Sequence, residues 1–537
     1  MLGWSLVARG VMAAVLASLV VVLVTPASRA QASLTSIAPL QGPVGATVTL
    51  TGSGFTGTSA VRFAGHDAAF RVVGDDQVSA VVPPGAETGS VEIDTVDGSL
   101  FSPDRFLVQP NVLLIVTDDQ RWDTVVSMPR VQSDIAGQGV SFANMFVTNP
   151  LCCPSRATLL TGRYSHSTGV WSNKAPFGGF TTFEDDDTVA TALDAEGYRT
   201  GMFGKYLNQY TATGGTYVPP GWDRWRVFLN GGYFDYTLSL DGISQESYGS
   251  APEDYSTDVL ADQAAGFIQD TSPQDPLLVW FAPLAPHEPF IPAPRHVGTL
   301  AGLAAWRPPS YNEPDVSDKP FYIRNAPRLS TDRQAEIDAL RQAQLETLMA
   351  VDDAVAQLLT TLAVMGRLED TLIVFTSDNG YLWGEHRRAG KVVPYEESIR
   401  VPLTIRWDRL PGTAPTRTRL VQNLDIAPTI LDAAEATLPG VEGESLLPLL
   451  NGAAGAWRSQ MLFEHYGEGA PSYCAIRTKD LLFVHYRTGE EEFYRLATDP
   501  YERMNRIAST TAAERIASLR DAARARCNPL PPDMTPF

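Results

Sequence analysis

The sequence predicts an α/β protein built on a mostly parallel central sheet, with a small all-β unit ahead of it and a small α+β part after it. Three observations carry that prediction. Continuous apolar runs at Val112–Val116, Pro276–Phe281 and Thr371–Phe375 are what parallel strands buried on both faces require. Between the last two, apolar residues recur at three-to-four spacing from Thr331 to Met365, the mark of a long packed helix. Ahead of Asn111 the pattern is different: short alternating runs punctuated by Gly and Pro.

At 537 residues, 44% hydrophobic and 9% aromatic, the chain is globular and long enough for more than one domain. Its 41 Lys plus Arg stand against 61 Asp plus Glu, a net charge of −20. That balance excludes nonspecific nucleic-acid binding, which needs clustered cations, and disfavours an anionic membrane surface. Only five basic residues are lysines (174, 205, 319, 391 and 479), so the place of each is informative.

In chain order, residues 1–32 read as a secretory signal peptide. Arg9 gives the positive start, Gly10–Val24 the apolar run and Ala27–Ala32 the small-residue cleavage region. The run is shorter than the roughly 20 residues of a spanning helix. The expected location is therefore secreted or extracytoplasmic, with no stable membrane span after cleavage. Residues 33–109 read as a β-sandwich. Ala46–Thr51 alternates with period two before Gly52-Ser53-Gly54, and further runs fall near 61–63, 78–82, 91–96 and 106–108. Residues 110–460 form the α/β body. In it a helix from Thr188 to Glu196 stops at Gly197, a short strand runs toward Gly204, and Gly366 ends the long helix. Residues 461–537 carry strand-like Met461–Tyr466, Tyr473–Thr478 and Leu481–Tyr486, a small antiparallel sheet. The four cysteines, 152, 153, 474 and 527, are too few for a disulfide scaffold and lack zinc-site spacing. In an oxidising compartment Cys474 would bridge Cys527.

Open α/β sheets gather ligands beyond the carboxyl ends of their strands. The first buried run leads into Thr117-Asp118-Asp119-Gln120 and the third into Thr376-Ser377-Asp378-Asn379-Gly380. One Asp pair at a strand end is ordinarily a helix cap or a solvated turn. Two such ends in one domain favour a site of hard oxygens for Ca²⁺ or Mg²⁺. Nearby runs deliver Lys205 in Gly204-Lys205-Tyr206-Leu207-Asn208 and His287 in Ala285-Pro286-His287-Glu288-Pro289. Gly384-Glu385-His386 then precedes Lys391.

The most informative segment is Asn149-Pro150-Leu151-Cys152-Cys153-Pro154-Ser155-Arg156-Ala157-Thr158-Leu159-Leu160-Thr161-Gly162-Arg163. Cys152-x-Pro154-Ser155-Arg156 followed by Leu160-Thr161-Gly162 resembles the sulfatase signature, whose first Cys becomes formylglycine. The Asp-Asp, Gly-Lys, Pro-His-x-Pro, Ser-Asp-Asn-Gly and Gly-Glu-His companions follow in family order over residues 110 to 527. The resemblance implies an alkaline-phosphatase-like sulfatase fold and a sulfuric ester hydrolase. It implies Ca²⁺ held by Asp118, Asp119, Asp378 and Asn379 together with the modified Cys152. The hydrated formylglycine attacks sulfur, and loss of a proton from its second hydroxyl releases sulfate. Arg156 would orient this group, His166 would take that proton, Lys205 and Lys391 would hold sulfate oxygens, and His287 would be the acid toward the leaving group. A formylglycine-generating enzyme is the implied maturation partner.

Many family members carry Gly-Lys-x-His where this chain has Leu207. Gly204–Tyr210, the double cysteine, Tyr233–Ser239, Ser472–Lys479 and Asp499-Pro500-Tyr501-Glu502 look like the N-acetylglucosamine-6-sulfatase branch. That implies a sulfated saccharide substrate, with 6-O-sulfated N-acetylglucosamine the narrower expectation. The rival readings are a phosphatase or phosphonate monoester hydrolase of the same superfold and a non-catalytic surface-binding protein. In the first unit, Gly42-Pro43-Val44-Gly45, Gly52-Ser53-Gly54-Phe55 and Val82-Pro83-Pro84-Gly85 resemble the immunoglobulin-like IPT/TIG fold.

Overall fold

The computed structural model describes residues 31–409, 415–452 and 455–537. The signal-peptide reading lies, but for its last two residues, outside the described residues.

The apolar runs become strands because both of their faces are covered. Asn111–Thr117 lies at the centre of a ten-stranded sheet, flanked by Leu277–Ala282 and Thr371–Ser377, and both neighbours run parallel to it. Arg199–Gly204 and Arg224–Asn230 extend the parallel part on one side. Leu403–Arg406 turns antiparallel on the other. Successive side chains point to opposite faces of a strand. Accordingly Val112, Leu114 and Val116 enter one core cluster with residues of the Cys152–Thr161, Val189–Ala195 and Ile426–Ala433 helices. Leu113 and Ile115 enter another, with the helices Ser256–Asp270 and Thr331–Val364.

The long helix starts at Ser330, whose side chain accepts the Arg333 N–H, an N-cap of the usual kind. Its length and composition would suit a membrane span, yet 61% of its most apolar window is buried in the protein. The buried stripe of Ile337, Leu348, Val351, Val355, Leu358 and Leu362 explains this: it is a core helix. The predicted Thr188–Glu196 helix runs Val189–Ala195, with Thr188 and Thr191 forming a reciprocal capping box.

Ahead of this body, two antiparallel-rich sheets of four and five strands pack Val48, Leu50, Phe63, Val78, Ile93 and Phe106 between them. This sandwich docks at the amino ends of the parallel strands. Val44 N donates to Asp370 Oδ2 (3.2 Å), Thr47 N to Gln274 Oε1 (2.7 Å), and the Gln41 and Gln109 amides both donate to the Glu196 carbonyl. Those partners immediately precede the strands at 371, 277 and 199.

After the body, Met461–His465, Tyr473–Arg477, Leu481–Tyr486 and Glu491–Arg495 form an antiparallel sheet. The helix Ala513–Arg526 packs on it through Ile516, Leu519 and Ala523. Cys474, buried in the second strand, is disulfide-bonded to Cys527 at the end of that helix. The bridge closes a loop across a sequence separation of 53 residues. By the chain-entropy account such a loop stabilises the fold by about 4 kcal/mol. Replacing both cysteines with serine should lower the unfolding free energy by up to that amount, read from urea denaturation under non-reducing conditions.

Candidate active site

The register of the two central strands places the site. Thr117 pairs directly with Ser377, so Asp118 and Asp378 leave adjacent strands side by side. Asp378 N donates to the Thr117 carbonyl (3.1 Å), and Asp119 N donates to Asp378 Oδ1 (3.1 Å). Asp119 takes a left-handed conformation with φ 70°, sterically uncommon for a residue bearing a Cβ. Carboxylate oxygens of Asp118, Asp119 and Asp378 lie within 4.8 Å of one another, all buried. Asn379 Nδ2 donates to Asp119 Oδ1 (2.6 Å), while Asn379 Oδ1 is buried without a partner.

Cys152 is the first residue of a fully buried helix, Cys152–Thr161. A helix start presents unpaired N–H groups and a partial positive charge to anions. One of these amides, Cys153 N, donates to Asn173 Oδ1 (2.9 Å). Cys152 Sγ lies 3.5 Å from Asp118 Oδ1 and 2.8 Å from Lys391 Nζ. The adjacent Cys153 points into the core, where burial pushes its thiol up to about 12, so it carries no thiolate at neutral pH.

Arg156, one turn along that helix, donates from Nε to Asp378 Oδ2 (2.8 Å) and from Nη1 to the Lys205 carbonyl (2.6 Å). Its Nη2, 3.7 Å from Asp118, has no hydrogen-bond partner. The Lys205 ammonium is paired with Asp118, and that of Lys391 with Asp119. Lys205 reaches this position because its strand ends at Gly204, where a Cβ would stand 2.0 Å from the Ala282 carbonyl oxygen. Burial opposes charge on Asp118, but Lys205, His287, Arg156 and Lys391 overcome it and hold the carboxyl well below the usual range. Burial, together with repulsion from Asp118, raises Asp378.

His287 donates from Nδ1 to the Glu288 carbonyl (2.8 Å), which leaves Nε2 facing Asp119 Oδ2 at 3.9 Å. Its reactive nitrogen shares one 4.8 Å cluster with Asp118 and Cys152. Burial pulls this imidazole down, and the attraction of Asp118 above all reverses that and brings it up to about 9.

The structure thus assembles Asp118, Asp119, Cys152, Arg156, Lys205, His287, Asp378, Asn379 and Lys391. It does not bring in His166. That imidazole donates from Nδ1 to Glu464 Oε2 (2.8 Å), stacks on Tyr164 and has Nε2 3.8 Å from Glu442. Among the described residues no hydrogen bond or ion pair joins it to Cys152 or to the three aspartates. Burial lowers its pKa and the Glu464 hydrogen bond more than restores it, so the ring is raised overall. The role of His166 as proton acceptor thus rests on the sequence resemblance alone; in the structure its ring is engaged by Glu464 and Tyr164. Leu207, at the family's usual histidine position, is buried in the apolar core.

Two residues were not singled out from the sequence, Asn173 and Glu464. Nothing local marks them, since one sits in a loop and the other on a strand some 300 positions from its partner His166. Gly384-Glu385-His386 proves to be support for the loop carrying Lys391. Glu385 pairs with buried Arg121 (2.8 Å), and His386 Nδ1 meets Glu313 (3.0 Å). His386, Glu397 and Glu502 form a second buried cluster. Burial, and then repulsion from Glu385, raise Glu397 above the usual carboxylate range.

A nucleophile position at a helix start, with a carboxylate corner and cations converging on it, defines an enzyme for anionic esters. The sulfatase profile matches residues 110–436, so the chain belongs to the sulfatase family and is a sulfuric ester hydrolase. The profile for the N-sulphoglucosamine sulphohydrolase C-terminal region matches 384–526, and that for the IPT/TIG domain matches 32–108. Human N-acetylglucosamine-6-sulfatase is 36% identical over 67% of this chain and 68% of its own. Among solved structures, BT4656 in complex with its substrate D-glucosamine-2-N,6-O-disulfate has a TM-score of 0.69 at 26% identity, covering 78% of this chain and 97% of that one. The phosphonate monoester hydrolase of Agrobacterium radiobacter, with a TM-score of 0.62 at 23% identity over 77% and 96% of the chains, shares the fold.

The orphaned Asn379 Oδ1 and the three carboxylates fit a divalent cation, since the set is hard oxygen throughout. Calorimetric titration of Ca²⁺ should show Asp119→Asn and Asp378→Asn binding at least about 10- to 100-fold more weakly. Glu464→Gln, remote from the carboxylates, should bind as the parent does.

Proposed function

We propose that this sulfatase is secreted and hydrolyses sulfate esters of sugars, with 6-O-sulfated N-acetylglucosamine as substrate, using formylglycine made from Cys152 and Ca²⁺. The observation that carries the mechanism is Cys152 at a helix start, in contact with Lys391 and Asp118, beside His287. The sugar class rests on the 36% identity to an N-acetylglucosamine-6-sulfatase. Secretion rests on the leader-like first 32 residues and on the Cys474–Cys527 disulfide, which persists in oxidising compartments.

Ca²⁺ held by Asp118, Asp119, Asp378 and Asn379 would supply a dication against the charge of the sulfate group. Formylglycine at position 152, installed by a formylglycine-generating enzyme, would supply the nucleophilic oxygen as its hydrate; its second hydroxyl would then give its proton to the His287 imidazole, left neutral by protonating the sugar oxygen, and the aldehyde would re-form as sulfate leaves. The chain's own residues do the rest. Lys205 and Lys391 leave Asp118 and Asp119 to hold sulfate oxygens, and Arg156 Nη2, the free guanidinium nitrogen, orients the group at 152. When the bond from sulfur to the sugar oxygen breaks, that oxygen takes the proton from His287 Nε2. Its Nδ1, bonded to the Glu288 carbonyl, holds the ring so that Nε2 faces the site for this task.

Sulfate release from N-acetylglucosamine-6-sulfate by the purified protein, with an aldehyde in place of the thiol in the Cys152 peptide by mass analysis, is the expected result. An active enzyme with only thiol there would overturn the mechanism. Release from aryl sulfates but from no sugar sulfate would overturn the substrate class.

The two histidines separate sharply. His287→Ala should lower kcat by about 10²- to 10⁴-fold, the usual worth of a general acid. His166→Ala should cost less than about tenfold, because its contacts are with Glu464, Glu442 and Tyr164.

A further inference from the structure

A cavity of about 620 Å³, within the roughly 300–1,000 Å³ of small-ligand sites, lies one residue removed from contacts of the Cys152 helix start and of the Lys391 loop. Two short links tie it there. Asn173, which receives the Cys153 N–H, stands between Ser172 and Lys174 on the cavity wall. Gly469, on the facing wall, packs against Val392, the neighbour of Lys391; a Cβ on it would meet Val392 Cγ2 at 2.8 Å.

The cavity lies between two turns, 172–177 and 466–471, and both are held from below. Ser172 Oγ donates to the Lys174 carbonyl (2.7 Å). His465 Nε2 bonds the Glu468 carbonyl (2.9 Å), and Gly467 N donates to Ser472 Oγ (2.9 Å). Burial lowers the His465 pKa to about 4, so the ring is neutral and donates that bond at working pH.

Each turn presents one aromatic ring and one charge. Phe177 and Tyr466 meet edge to face at 5.1 Å. Lys174 Nζ faces Glu468 Oε1 at 3.4 Å, and Glu468 Oε2 has no protein partner. Deeper, Arg487 pairs with Asp533 at 2.8 Å.

This chemistry suits a sugar. Ring hydroxyls both donate and accept, and facing carboxylate and ammonium groups satisfy both roles. The aromatic pair offers an apolar surface to the C–H face of a pyranose. The charges balance, two cations against two anions, so the cavity adds no net attraction for further anionic groups. Binding a neutral polyol needs none.

We infer that this cavity is the sugar subsite: the ring that carries the scissile sulfate seats there, its hydroxyls bonded by Glu468 and Lys174 and its face against Phe177 and Tyr466. The inference rests on the sugar-sulfate reading above and assigns it to residues of the 172–177 and 466–471 turns.

The test compares kcat/KM for N-acetylglucosamine-6-sulfate and for 4-nitrophenyl sulfate, which has no hydroxyls to place in the cavity. Glu468→Gln should lower the sugar value by about 10- to 100-fold, chiefly through KM, the loss expected for a charged hydrogen-bonding partner. The aryl value should fall far less, so the ratio of the two shifts toward the aryl ester. Phe177→Ala, which leaves every charge in place, should shift the ratio the same way. Equal losses on both substrates, or an unchanged sugar value in both variants, would overturn the subsite. A parent enzyme that cleaves the aryl ester and no sugar sulfate would overturn the substrate reading and the subsite with it. A parent that cleaves the sugar, with variants that lose nothing, would remove the subsite alone.

Discussion

The structure depends on one buried balance of charge. Asp118, Asp119 and Asp378 stand in the interior against Arg156, Lys205 and Lys391, with every carboxylate almost completely removed from solvent. An ion left unpaired in such a place costs several kcal/mol, and breaking a buried pair costs about 3–5 kcal/mol. The six groups come from five separate segments: two strand ends, a helix, a third strand end and the loop ahead of Tyr395. None of these segments can shift alone without stranding a charge. The parallel register of the central strands, the close approach at Gly204 and the Arg121–Glu385 pair under the lysine loop are therefore parts of one constraint.

The parallel core was legible because burial on both faces leaves no room for polar alternation, as in Val112–Val116 and Thr371–Phe375. The sheet's edge was not. Ser244–Ser247 is exposed throughout, so nothing in its composition separates it from a turn. The strand Glu491–Arg495 was missed because its apolar stretch is only Phe493-Tyr494 between acidic residues. At the site, residue type at a strand end carried most of the information, since three carboxylates and an amide there have few other uses. His166 shows the limit. Its place shortly after the signature helix says nothing about direction, and Gly162, in the left-handed conformation with φ 67°, turns the chain away at that point. Glu464, from the distant antiparallel sheet, then fixes where the imidazole goes.

Proton traffic at the site turns on where its histidines stand. With Leu207 in the core and His166 held by Glu464, His287 is the histidine that stands beside Cys152. The corner also holds two lysines whose ammonium groups burial disfavours, yet which their aspartate partners keep charged. Burial opposes charge on both, and Asp118 for Lys205 and Asp119 for Lys391 reverse it. A dication among the same carboxylates would compete with the lysines for them. The ammonium groups would then be free to turn toward an incoming anion. On the proposed reading, metal and lysines are thus competing partners of one acidic corner, and a bound dication would leave the lysines to the sulfate.

The sandwich stands at the opposite end of this arrangement. It meets Glu196, Gln274 and Asp370, which precede the strands whose far ends build the site. A seven-residue strand spans about 20 Å, so roughly the length of a strand separates the sandwich contacts from the strand ends that build the site. Among the described residues no hydrogen bond or ion pair runs from the sandwich to Asp118, Cys152 or the two lysines. The same geometry resolves the apparent conflict of an anionic substrate with a chain of charge −20. Attraction of the sulfate cannot come from the field of the whole molecule, and beyond about 8 Å in physiological salt that field is largely screened. On the proposed site it would come from two lysines, an arginine and a helix start brought together in the interior, where low dielectric makes each of them count for more than the surplus acids on the surface.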